Sequence, residues 1–202
     1  MVIDGIYYAV ALSAGGALVW YLTKPWFALP FFVLSLFCLY FFRDPERAIP
    51  DGAVAVSPAD GKVVGIRTDP SAPARISIFL NIFDVHVNRA PIAGTIAKVD
   101  YTRGRFKVAS REIASSQNER NTVTIDGEAT SVSFAQIAGL IARRIVFWKQ
   151  TGDQVAKGER VGLIKFGSRV DVFLGPEWEI AVKPGERVQG GSSILARRKQ
   201  VG

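Results

Sequence analysis

The chain of 202 residues carries 25 Lys and Arg against 18 Asp and Glu, a formal net charge of +7, and 49% of its residues are hydrophobic. That length suits one modest domain plus an appendage, and the apolar share excludes a disordered chain. One Cys and one His exclude a disulfide framework, a Cys-based zinc or iron–sulfur site and a His-rich metal centre, so any chemistry that needs an imidazole must use His86.

Over residues 1–42 the only charged side chains are Asp4 and Lys24. Two apolar runs, Ile6 to Leu22 and Trp26 to Phe42, are split by Thr23, Lys24 and Pro25. Each run has 17 residues, about 25 Å as a helix, which with its flanks spans a hydrocarbon core of roughly 30 Å. Residues 1–45 are therefore expected to form a membrane-associated helical hairpin, with Trp20, Tyr21 and Trp26 at the interface near its turn. Arg43 and Arg47 follow the second run at once and favour a cytoplasmic position for the remainder, at the cell membrane. A cleaved signal peptide fits poorly, since no Lys or Arg precedes the first run and a second run follows it. A soluble buried hairpin needs a larger protein core to cover so much apolar surface.

Residues 46–202 read as a second domain, mainly β. Val54–Val56, Lys62–Ile66, Arg75–Leu80, Thr95–Val99, Asn121–Ile125 and Val170–Phe173 are short, β-branched and punctuated by Gly, Pro or Asp. Asp126-Gly127 predicts a hairpin turn. Ala135 to Arg144 reads as a short helix, and Ile145 to Trp148 as a strand after it. The fold class expected is a compact β-barrel or sandwich-like body with a short helix, preceded by the apolar helical hairpin. The basic charge resides in this body and attracts it to anionic headgroups. Nucleic acid is not expected as a partner, because no Lys/Arg run with interleaved aromatics and no helix-turn-helix pattern occurs.

Five segments carry chemistry in this order: Phe41-Phe-Arg-Asp-Pro-Glu-Arg47, Ser57-Pro-Ala-Asp-Gly-Lys62, Asn81-Ile-Phe-Asp-Val-His-Val-Asn-Arg-Ala-Pro91, Gln136-Ile-Ala-Gly-Leu-Ile-Ala-Arg-Arg144 and the stretch from Gly158 to Asp171 that holds Gly167-Ser168. Together they resemble the phosphatidylserine decarboxylase family, in particular its short bacterial and archaeal pyruvoyl-dependent members, over nearly the whole chain. The resemblance implies a proenzyme that cuts itself between Gly167 and Ser168, giving a β chain of residues 1–167 and an α chain of residues 168–202. Gly167 has no side chain, so its carbonyl is open to close approach by the Ser168 hydroxyl. An N→O acyl shift makes an ester, elimination leaves dehydroalanine, and hydrolysis releases ammonia and leaves a pyruvoyl group. That covalent cofactor, derived from Ser168, would form a Schiff base with the substrate's amine and take up the electrons left by CO2. No metal is required.

Self-cleavage needs a base. His86 is the only imidazole, and an ordinary imidazole pKa near 6.5 suits proton transfer. Asp60 and Asp84 are the nearest carboxylates by motif. If Asp84 to Val87 is a strand, Asp84 and His86 share a face, and a carboxylate would orient the ring. Longer family members resemble Asp-x-His-x-x-His here and use the second His in a Ser-His-Asp relay. Arg89 stands at that place in this chain, so either His86 takes the role or Asp60 and Asp84 act without a relay. Arg89, Arg143 and Arg144 are candidates for the substrate's phosphodiester and carboxylate, which match guanidinium forks. Asn118 to Asn121 could line the site, and Ser110 to Asn121 reads as a loop near the lipid entry. The partners expected are the phospholipid substrate, the membrane and the two chains of one precursor, with a homo-oligomer left open. The lipid core, diacylglycerol or archaeol, stays open too.

Two other readings compete. Gly152 to Gly162 looks like the half-barrel of biotinyl and lipoyl carrier domains, but such a carrier needs a Met-Lys or Asp-Lys-Ala context, and the only Met is Met1. A membrane-tethered module that only binds anionic lipid is the other.

Overall fold

A computed structural model describes residues 2–69, 71–104, 118–139, 144–165 and 168–199. Its contacts divide the chain into two units, Met1–Glu46 and Arg47–Gly202.

The first unit is a pair of helices, α1 (Ile3–Leu22) and α2 (Pro25–Phe41). Pro25 opens α2, where its missing N–H is not needed. Thr23 closes α1, its amide and hydroxyl both donating to the Val19 carbonyl. Small and hydroxylated residues let the helices approach: Ser35 donates to the Ala9 carbonyl at 2.9 Å and lies 3.0 Å from the Ser13 hydroxyl. The outward faces are apolar as well, with Tyr21 85% and Trp26 79% exposed. The 20 residues of α1 measure about 30 Å, so α1 is long and apolar enough to cross a bilayer core.

The second unit is built from strands. One antiparallel sheet runs, edge to edge, through β13 (Arg187–Val188), β2 (Gly61–Asp69), β3 (Ala72–Leu80), β11 (Ser168–Leu174), β7 (Thr130–Ala138), β6 (Arg120–Gly127), β5 (Gly94–Thr102) and β9 (Gln154–Val155). A second joins β4 (Val87–Arg89), β10 (Arg160–Lys165) and β8 (Arg144–Phe147). A third joins β1 (Val54–Val56), β14 (Ile194–Arg198) and β12 (Trp178–Ile180). One face of the large sheet carries Ile76, Ile78, Val170, Val172, Phe134 and Val123, all fully buried. Each such aliphatic side chain contributes about 1.5–3 kcal/mol relative to exposure. All six strands expected from the sequence are present.

Two local readings change. Asp126 and Gly127 are the last rungs of β6, with Gly127 opposite Thr130, so the two-residue hairpin loop is Glu128-Ala129, with Ala129 at φ 53°. Gly127 answers crowding instead, because a Cβ there would lie 2.8 Å from the Ala93 carbonyl. The expected helix from Ala135 is also overturned: Ala135 to Ala138 extend β7 and pair on both sides, Gln136 facing Val170 and Asn121. Ladders on two edges outweigh the helix preference of Ala and Gln. Residues 140–143 of that segment lie outside the described residues, and the described part of this unit holds no helix.

Candidate active site

Ser168 opens β11, an interior strand, directly between Leu80 of β3 and Ala138 of β7. Ser168, Val170, Val172 and Leu174 alternate onto the core face, so the serine occupies a position patterned for an aliphatic residue. It is fully buried, and its hydroxyl has no hydrogen-bond partner among the described residues. Such an orphaned hydroxyl costs about 1–3 kcal/mol. Gly167 and Arg143 lie outside the described residues, as does most of the expected loop from Ser110 to Asn121.

His86 reaches this region through the pairing of two connections. Leu80 pairs with Ser168, Val87 pairs with Leu163, and the His86 carbonyl accepts from the Ile164 amide at 3.2 Å. The β3–β4 connection therefore leaves from beside Ser168 of β11 and, at His86, lies beside Ile164 of β10. His86 is 1% exposed. Its Nδ1 lies 2.9 Å from the Asp84 main-chain oxygen. A carbonyl only accepts, so Nδ1 carries the hydrogen, and Nε2 is the nitrogen that a neutral ring uses to take up a proton.

Asp84 is not on a strand; it closes a turn after β3. Its Oδ2 accepts from the Asn81 amide at 2.9 Å, and its Oδ1 accepts from Arg187 of β13. The ring of His86 is thus oriented by the backbone of Asp84 and not by its carboxylate. Asp60 sits in the turn before β2, where its Oδ1 accepts from the Gly190 amide at 2.7 Å and its Oδ2 from Arg47 at 2.8 Å. Burial pushes the Asp60 carboxyl above the ordinary carboxylate range, against the pull of Gly190 and Arg47, and the nearby charge of Asp84 adds to the push. A raised folded-state value means that the native state holds this proton more tightly than the unfolded chain. Asp60 therefore favours folding below the ordinary carboxylate range, and that contribution is lost as pH rises through the shifted value.

Gly61 fixes the exit of this turn. At φ 151° a Cβ would stand 2.3 Å from the Phe79 carbonyl of the neighbouring strand. Gly61→Ala should lower stability by about 3 kcal/mol, read as a fall in the unfolding midpoint of the detergent-solubilised protein.

A chain of buried amides ties these pieces together. Asn121 donates to Gln136 at 3.0 Å, Gln136 donates to Asn88 at 2.9 Å, and Asn88 Nδ2 lies 3.4 Å from the Pro58 carbonyl. Gln136 stands opposite Val170, two residues along β11 from Ser168. The chain therefore joins β6 and β7, the neighbour of the strand of Ser168, to the strand after His86 and the turn of Asp60. Sequence reasoning missed it, although Asn121 and Gln136 each fall on the apolar parity of their strands. Asn118, within the expected polar cluster, is buried and donates to the Ala138 carbonyl at 2.8 Å, beside Ser168.

The arginines divide. Arg89 is buried, faces Arg160 at the end of β10 remote from Lys165, and donates to the Gly158 carbonyl at 3.0 Å. Arg144 is exposed and stands opposite Lys165, three residues before Ser168. Lys165 was not foreseen; two cations directly opposed on neighbouring strands repel unless an anion lies between them. A cavity of about 580 Å³ lined by Ala72, Pro73, Pro176, Trp178 and neighbours holds none of these residues, so size alone does not mark the reacting atoms.

Residues 34–196, from the middle of α2 to β14, match the phosphatidylserine decarboxylase family. The chain belongs to that family. Among phosphatidylserine decarboxylase sequences, the proenzyme of Solibacter usitatus (strain Ellin6076) is 65% identical over 198 residues, covering 98% of this chain and 97% of its own length. The phosphatidylserine decarboxylase proenzyme of Syntrophus aciditrophicus (strain SB) is 44% identical over 201 residues, covering 95% and 94%. The match to the phosphatidylserine decarboxylase family takes in Asp60, Asp84, His86, Arg89, Arg144 and Ser168.

Proposed function

We propose that the chain is a phosphatidylserine decarboxylase precursor that cuts itself between Gly167 and Ser168 and releases phosphatidylethanolamine and CO2 from phosphatidylserine. The observation that carries this reading is the buried hydroxyl of Ser168 on an interior strand, without a hydrogen-bond partner among the described residues, in a chain whose relatives are named proenzymes. His86 Nε2 takes the hydroxyl proton as Ser168 Oγ adds to the Gly167 carbonyl carbon. The peptide C–N bond breaks with return of a proton to nitrogen, leaving an ester. Removal of the Ser168 α-proton then expels the Gly167 carboxylate. Water replaces the nitrogen of the resulting enamine, ammonia departs, and a pyruvoyl group remains.

The site fits that group. Conversion of Ser168 to a ketone removes a buried O–H that has no acceptor among the described residues. The pyruvoyl group supplies a carbonyl that captures the substrate's amine and accepts the electron pair left by CO2. In this reading His86 then holds or returns a proton. Lys165 and Arg144 offer opposed cations to the phosphodiester or carboxylate of the headgroup. The helical hairpin anchors the protein in the cell membrane, and Arg43 and Arg47 set the catalytic unit on the cytoplasmic side.

Intact-mass spectrometry of freshly purified protein tests this directly. Two chains are expected, the smaller beginning at position 168 and lighter by one ammonia than an ordinary serine terminus. A single uncut chain with a normal amino terminus overturns the reading.

A further inference from the structure

The ladders place Ser168 at one end of the large sheet. Leu80 of β3 and Ala138 of β7 flank it, Arg120 of β6 lies opposite Ile137, and Thr102 of β5 lies opposite Arg120. Among the described residues of the second unit, five large apolar side chains stand exposed, and three belong to this end: Ile82 at 37%, Phe83 at 63% and Tyr101 at 49%. Ile82 and Phe83 occupy the two middle positions of the turn that follows β3. The Asp84 amide donates to the Asn81 carbonyl at 3.0 Å, the Phe83 amide to Asn81 Oδ1 at 2.7 Å, and the Asn81 amide to Asp84 Oδ2 at 2.9 Å. These bonds hold the turn, so it presents both side chains outward at little ordering cost. The turns at the other end of the sheet carry Asp69, Ser71 and Glu128, and none of the exposed large apolar side chains.

Strands β11, β7 and β6 separate β3 from β5, so ladder spacings of about 4.8 Å set the ends of β3 and β5 about 20 Å apart along the sheet. Apolar groups spread along such a rim suit a plane and not a pocket for one small molecule. Exposed aromatic and aliphatic side chains enter the interface of a bilayer favourably, and cations beside them are drawn to anionic headgroups. Lys62, opposite Phe79, and Arg103, after β5, are exposed on the same rim. Arg187, opposite Lys62, keeps 63% of its side chain exposed although it donates to Asp84. The carboxylates beside the site are engaged: Asp60 accepts from Arg47, Asp84 from Arg187 and Glu119 from Tyr101. We propose that this rim is a lipid-docking edge, with Ile82 and Phe83 entering the interface of an anionic bilayer and the end of β11 that bears Ser168 turned toward the lipid. Docking at this edge, which rests on the decarboxylase reading for its phospholipid substrate, lets the headgroup reach the site while the acyl tails stay in the bilayer.

The test places one environment-sensitive fluorophore on the full chain, reconstituted in vesicles of phosphatidylcholine and phosphatidylglycerol. Cys38→Ser removes the only native thiol, and Ile82→Cys, Phe83→Cys or Ser71→Cys supplies a single new one. Ser71, in the turn between β2 and β3, reports the far end of the sheet. A nitrobenzoxadiazole label on Ile82→Cys or Phe83→Cys should be quenched by brominated acyl chains about threefold more than one on Ser71→Cys, because only the docked rim reaches the acyl boundary. Labelling each of the two neighbours in turn guards against a substitution that disturbs the turn. The measurement reads no turnover, so it stands apart from the decarboxylase reading. Labels on Ile82→Cys and Phe83→Cys that are quenched no more than the label on Ser71→Cys overturn the proposal, even in a chain that cuts itself and decarboxylates. Preferential quenching in a chain that stays uncut supports the docking edge and overturns the decarboxylase reading alone.

Discussion

Ser168→Ala should leave a single 22.0 kDa chain with no pyruvoyl group and no measurable decarboxylation. The expected loss is complete, because the residue supplies both the nucleophile and the atoms of the cofactor. Folding should survive. Alanine fits the fully buried position between Leu80 and Ala138, and its substitution removes an unsatisfied hydroxyl. A stability gain of about 1 kcal/mol is expected from that removal. Denaturing electrophoresis reads the scission, and thermal unfolding in the same detergent reads the fold. A variant that still splits would place the cut elsewhere.

His86→Ala should slow maturation by about 10²–10⁴-fold, the usual contribution of a positioned general base. His86→Gln keeps most of the buried volume and should be nearly as slow, which separates proton transfer from packing. Asp84→Asn is the informative contrast. The contact that orients the His86 ring comes from the Asp84 main chain, which this substitution retains. Its effect on maturation should stay within about tenfold, with the altered Arg187 contact as the main change. Pulse-labelled expression followed by electrophoresis measures all three rates. Unchanged maturation in His86→Ala would remove the imidazole from the base role and turn attention to Asp60, whose proton affinity is already raised.

Strand positions were legible because β-branched runs between Gly, Pro and Asp have few other uses; the first expected strand coincides with β1, and each of the other five lies within a longer observed one. The errors arose where local chemistry met crowding from a distant segment. Gly127 looked like a turn residue, yet it is the Ala93 carbonyl that forbids a side chain there. Ala135 to Ala138 looked helical, yet β6 and β11 hold it extended from both sides. At the site, residue types were readable but contacts were not. The motifs named Asp84 and His86, whereas only the turn shows that the ring donates its hydrogen bond to a carbonyl. Arg47 and Arg187 sit 13 and 103 residues from the carboxylates they hold, and no short motif joins such partners. Asn121 and Gln136 did leave a trace, as polar residues on the inward parity of otherwise apolar strands.

The topology around β11 bears on what scission leaves behind. The segment beginning at Ser168 supplies an interior strand of the large sheet, an edge strand beside β2, and both partners that build the small sheet onto β1. One broken backbone bond would not release such a fragment, because its neighbours on either side keep their ladders. The same fragment carries Arg187 and the Gly190 amide, which clasp Asp84 and Asp60 on the larger piece. On the proposed scission the mature particle would be an interlaced heterodimer with its stoichiometry fixed at one to one. Pulling it apart would strip both carboxylates of these contacts.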